Sequence, residues 1–86
     1  MIIKKEFIKR QIGEDTILVP TGTTVYEYNG LFAMNELAGF LWDLLPEAED
    51  EEALVKAVLE EYEVTETAAR ADIREFLDKL RDMQIV

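Results

Sequence analysis

At Asn35 the chain changes its period. Before it, short runs rich in Thr, Val, Ile and Tyr are punctuated by Gly and Pro; after it, apolar residues recur at helical spacing. The charge changes at the same place. Residues 1–34 hold four bases (Lys4, Lys5, Lys9, Arg10) and four acids (Glu6, Glu14, Asp15, Glu27), whereas residues 35–86 hold five bases and fifteen acids. The whole formal charge of −10 therefore belongs to the second half of an 86-residue chain. A chain of this size builds one domain with a single modest core, here taken as residues 1–86.

The first half reads as strands. FIKRQI, then Gly13-Glu14-Asp15, then TILVP is a hairpin signal: two β-rich runs around a short Gly-containing turn. Pro20 and Thr21-Gly22 close the second strand. The run TTVYEYN predicts a third strand, and Asn29-Gly30 a turn after it. The second half reads as three helices. NELAGFLWDLL takes Asn35 as N-cap and sets Leu37, Phe40, Leu41, Leu44 and Leu45 on one stripe, with Pro46 as its stop. Asp50 caps the next, which faces Leu54, Val55, Val58, Leu59 and Tyr62 inward. Thr65 caps the longest, roughly Glu66 to Met83, whose apolar stripe runs Ala69, Ile73, Phe76, Leu77, Leu80, Met83. The expected fold is α+β: a three-stranded antiparallel sheet followed by three helices, βββααα, in a winged-helix-like arrangement.

Composition removes most chemistry. The chain has no Cys, no His and no Ser. That excludes a disulfide scaffold, thiolate or imidazole metal sites and Ser or Cys triads, leaving carboxylates, Lys, Thr and Tyr. Paired carboxylates can do acid–base work when buried together, but nearly all the acids fall on the polar faces of the helices, interspersed with Lys56, Arg70, Arg74, Lys79 and Arg81. The cluster Glu47, Glu49, Asp50, Glu51, Glu52 lacks the alternation and central Gly of a calcium loop, and reads as a solvated linker favouring the helix N-terminus that follows. A non-catalytic binding module without metal or cofactor is the expectation. A nucleic-acid-binding winged-helix regulator stays as an alternative disfavoured by charge, since three helices beside a small sheet could enter a groove only with basic residues to neutralise phosphates. No targeting or membrane segment is read: MIIKKEFIKR is too charged for a signal peptide, and no apolar run approaches a span. The cytoplasm is the expected compartment.

The aromatic third run carries the functional expectation. In a strand, Tyr26 and Tyr28 share one face and Val25 and Glu27 the other. A terminal strand leaves unpaired N–H and C=O groups, and Glu27 is the only charge blunting it. An open edge beside an amphipathic helix is suited to β-strand addition by a peptide. Two other readings stay open at this point: the tyrosines cap the core and a loop covers the edge, or the edge pairs with a second copy to make a homodimer.

The run NGLFAMNELAGFLWDLL, an acidic spacer, EALVKAVLEEYEV and ARADIREFLDKLRDMQIV together resemble the PqqD family, and EFIKRQIGEDTILVPTG is similar to that family's opening strands. The most specific portion is Met34-Asn35-Glu36 leading through Gly39 to Trp42, followed by Tyr62-x-Val64, Asp72-Ile73, Phe76-Leu77 and Leu80. The chain departs from the family pattern at Met34, where Leu is usual, and at Gln84, where Gly usually precedes the final apolar pair. The resemblance implies a RiPP recognition element: a non-catalytic chaperone that takes the leader of a ribosomally made precursor peptide as an antiparallel strand on its third β-strand, against its third helix. It implies presentation to a modifying enzyme, often a radical SAM enzyme; the namesake serves pyrroloquinoline quinone biosynthesis. The peptide-binding residues this implies are Val25, Tyr26, Glu27 and Tyr28 on the strand, and Ala69, Asp72, Ile73 and Phe76 on the helix. Asn35 reads as a cap and Trp42 as core. A basic leader is expected, given the acidic helices.

Overall fold

A computed structural model describes residues 1–28 and 32–86. The elements run β1 (Phe7–Ile12), β2 (Asp15–Pro20), a 3₁₀ helix (Gly22–Tyr26), β3 (Phe32–Met34), α1 (Glu36–Leu44), α2 (Glu51–Glu61) and α3 (Glu66–Asp82). The strands form one antiparallel sheet in the order β1-β2-β3. Phe7 stands opposite Pro20 and Ile12 opposite Asp15 in the hairpin, and Leu18 pairs with Phe32 and Thr16 with Met34. The α+β fold, three strands and then three helices, is the one expected.

Each helix begins where its cap stands. Asn35 Oδ1 accepts from the Ala38 N–H at 2.7 Å, Asp50 Oδ1 from Ala53 at 2.9 Å and Thr65 Oγ1 from Ala68 at 3.2 Å. Each bond satisfies a first-turn donor that the helix itself cannot pair. The core gathers Leu41 and Leu45 of the α1 end, Leu54 and Val58 of α2, Ile73 and Leu77 of α3 and the tail residue Ile85, all under 2% exposed. Leu18 is the sheet's buried contribution. An aromatic cluster fills the space between the sheet and α1: Phe7 meets Tyr28, Phe32 and Trp42 edge-on at 5.3, 5.8 and 6.1 Å between ring centres. Trp42 is buried, as expected of a core residue.

The third strand is not where the β-propensity of TTVYEYN placed it. Gly22–Tyr26 is a 3₁₀ helix, with Thr24 N–H bonded to Thr21 O and Glu27 N–H to Thr24 O. The physical reason lies at both ends of the segment. Gly22 sits at φ +58, and a Cβ there would collide with the Glu6 carboxylate; the chain turns out of β2 by a conformation only glycine adopts cheaply. Thr24 is then buried, and its hydroxyl accepts the Glu6 backbone N–H at 2.9 Å, closing the start of β1. Tertiary hydrogen bonding overrides the propensity of Thr, Val and Tyr. The strand that completes the sheet is Phe32–Met34, immediately before the α1 cap. The turn expected at Asn29-Gly30 lies outside the described residues.

Candidate binding groove

Among the described residues β3 pairs with β2 alone, so its other side is an edge of the sheet. Period-2 alternation turns Phe32 and Met34 to the helix side, where both are half-buried against the core, and leaves Ala33 exposed. Opposite them stands α3. Its buried stripe, Ala69, Ile73, Leu77 and Leu80, packs into the core, and a neighbouring stripe, Asp72, Phe76, Lys79 and Met83, falls at the helical spacing of a second face. Between β3 and this second stripe runs a groove of about 530 Å³. Its floor comes from Leu18, Leu41, Leu80 and Ile85, one end from Asn35, Leu37 and Ala38 at the start of α1, and its helix wall from Asp72, Glu75, Phe76, Lys79 and Met83.

One long-range bond and a local cap hold the two walls in place. The Tyr28 hydroxyl donates to the Met83 carbonyl oxygen, tying the approach to β3 to the end of α3. Tyr28 also meets Phe32 edge-on at 5.8 Å. The end of α3 is locked by two bonds, Ile85 N–H to Leu80 O at 2.8 Å and Gln84 N–H to Arg81 O at 3.0 Å, with Gln84 at φ 60. This is a Schellman cap, and the buried pair Leu80 and Ile85 is its apolar contact.

The helix side away from the groove is committed to α2. Arg74 grips Glu51 through Nε at 3.0 Å and Nη2 at 2.9 Å. Arg70 grips Glu52 by both oxygens and also reaches Glu66 at 3.3 Å. These hydrogen bonds hold the Glu51 and Glu52 carboxyls below the usual range and raise both guanidiniums. With Asp50 serving as a cap, three members of the acidic linker thus have structural partners. Among the described residues no group of three carboxylates converges as a metal site.

The sequence-predicted site divides. Val25 and Tyr26 are 45% and 89% exposed on the 3₁₀ helix, and Glu27 caps it while pairing with Lys5 at 2.8 Å. None of Val25, Tyr26, Glu27 or Tyr28 belongs to the edge strand; Tyr28 instead supplies the bond that fixes the groove's end. On α3, Ala69 and Ile73 are core, at 1% and 0% exposure, while Asp72 and Phe76 line the groove. Groove residues outside the sequence-predicted site include Phe32, Ala33 and Met34 on the strand and Glu75, Lys79 and Met83 on the helix wall. The available signal was the apolar triplet Phe32-Ala33-Met34 directly before a capped helix.

A family model described as Coenzyme PQQ synthesis protein D (PqqD) matches residues 15–86, from β2 to the end of the chain. Among solved structures, TbiB1 in complex with the TbiA(beta) leader peptide is similar over 99% of this chain and 93% of that one, with a TM-score of 0.72 and 25% identity. Among curated proteins no match is found. With the family model matching from β2 through all three capped helices, both walls of the groove included, the chain belongs to the PqqD family.

Proposed function

We propose that this chain is a peptide-binding chaperone that takes the leader of a ribosomally made precursor peptide as a fourth strand on β3, against α3, and presents it to a modifying enzyme. The observation that carries the reading is the juxtaposition of an open sheet edge with an apolar groove along α3. Backbone bonds to the edge supply affinity for any extended chain, and the pockets beside it supply selectivity. TbiB1, similar in fold over nearly the whole chain, is in complex with a leader peptide. Within this reading the protein does no chemistry itself, and its partner is a tailoring enzyme of the radical SAM class acting on the held peptide. No helix is long and apolar enough to cross a membrane, among the described residues.

Titration of a fluorescein-labelled leader, from a precursor encoded beside this chain, tests the proposal. Saturable one-to-one binding that weakens as salt rises is expected, because a basic leader meets a chain of net charge −10. Absence of binding to every neighbouring precursor sinks it. Concentration-dependent dimerisation through the β3 edge, with no peptide bound, favours the self-pairing module instead.

A further inference from the structure

Resting on that peptide-binding reading, we propose that the groove selects a strand carrying Lys or Arg at position i and large apolar side chains at i+2 and i+4, in N-to-C order, with Asp72 as the residue that selects the cation.

The charge inventory of α3 singles out Asp72. Glu66 is paired with Arg70, Glu75 with Lys79 at 3.8 Å and Asp78 with Arg81 at 3.6 Å. Arg70 and Arg74 are held by Glu52 and Glu51 on the α2 side, away from the groove. Asp72 and Asp82 enter none of these pairs, and of the two only Asp72 lines the groove. Lys79 on the same wall is taken by Glu75, so a cation on a bound strand is the complement Asp72 lacks.

Spacing fixes where the apolar side chains fall. Phe76 lies four residues beyond Asp72 on α3 and Leu80 eight, which is about 6 and 12 Å along the axis. A strand advances about 3.3 Å per residue, so the residues turned toward the helix recur every ~6.6 Å. A side chain at i opposite Asp72 therefore sets i+2 opposite Phe76 and i+4 opposite Leu80 and Met83. The other wall of that stretch is apolar too, made by Phe32 and Met34.

Direction follows from Tyr28. Its bond to Met83 and its ring contact with Phe32 place the first residue of β3 at the C-terminal end of α3. We infer that β3 runs from that end along the groove toward Phe76 and Asp72, which line the same groove as Met34. The sheet is antiparallel throughout, and an antiparallel fourth strand is the more stable addition. That strand enters beside Asp72 and leaves beside Met83, which puts its cation on the N-terminal side.

Selection from a randomised linear peptide library displayed on phage, using the full chain as bait, tests this. Enriched peptides should share Lys or Arg at i and large apolar residues at i+2 and i+4, the cation first. Asp72→Lys should turn the preference at i to Asp or Glu and weaken a selected basic peptide about three- to tenfold, the scale of an exposed ion pair replaced by a repulsion. Asp82→Lys makes the same change of charge on α3 at an exposed position outside the groove, and should leave the preference at i as it was. A cation on the C-terminal side, or a cation preference that survives Asp72→Lys, overturns the inference while leaving peptide binding intact. An equal shift in Asp82→Lys overturns it as well, in favour of the overall field of the acidic helices. Failure to enrich any peptide overturns the peptide-binding reading along with it.

Discussion

Gln84 sits at φ 60, in the left-handed region that favours glycine, one residue past the α3 cap Met83. The Schellman cap needs that conformation at this position, which explains why a glycine is usual there in the family pattern. A non-Gly residue in this conformation costs about 1–2 kcal/mol, partly offset by glycine's greater freedom in the unfolded chain. Gln84→Gly should therefore stabilise the domain by about 1 kcal/mol, read as a rise of roughly 4–8 °C in Tm. An unchanged or lowered Tm contradicts the cap geometry. Residue scale also separates two neighbours that helical spacing alone groups together. Ile73 is wholly buried, so Ile73→Ala should cost about 2–5 kcal/mol of stability. Phe76 is half-buried on the groove wall, so Phe76→Ala should cost less stability and more leader affinity. Chemical denaturation and leader titration on the same two variants check the division; equal behaviour in both assays would place Phe76 in the core.

The elements differ in how much of them local sequence encodes. The helices were legible because each start is a side-chain bond three residues long, at Asn35, Asp50 and Thr65, and each apolar stripe repeats over several turns. The hairpin was legible because its turn residues stand between two alternating runs. The third strand was not. Its three residues are too few to show alternation, and the stronger β pattern beside it is overridden by Gly22 and by the Thr24–Glu6 bond across eighteen positions. The groove shares that difficulty, since Tyr28 and Met83 lie fifty-five residues apart. Between α2 and α3 the two Arg–Glu pairs give the helical layer a pH dependence. The Glu51 and Glu52 carboxyls are depressed in the folded chain by hydrogen bonds from Arg74 and Arg70. Their contribution is thus full above the unfolded carboxyl value of about 4.3 and is lost as pH falls through the lower folded values. Wild type should exceed the Glu51→Gln, Glu52→Gln double variant in Tm at pH 6, and the gap should close toward pH 3. A gap that widens in acid contradicts the pairing.

For the whole molecule, the partition of charge follows the partition of structure. The sheet half is neutral and the helical half carries the full −10, so an extended partner added at β3 lies between a neutral sheet and an acidic helix wall. In the proposed function, that arrangement favours a basic strand. Amide chemical shifts of the isotope-labelled protein, followed as leader peptide is added, test the central claim most directly. Perturbation and new exchange protection are expected at Phe32, Ala33 and Met34, with matching shifts along Asp72, Phe76, Lys79 and Met83. Shifts confined to Val25 and Tyr26, or to the exposed face of α2, would contradict it.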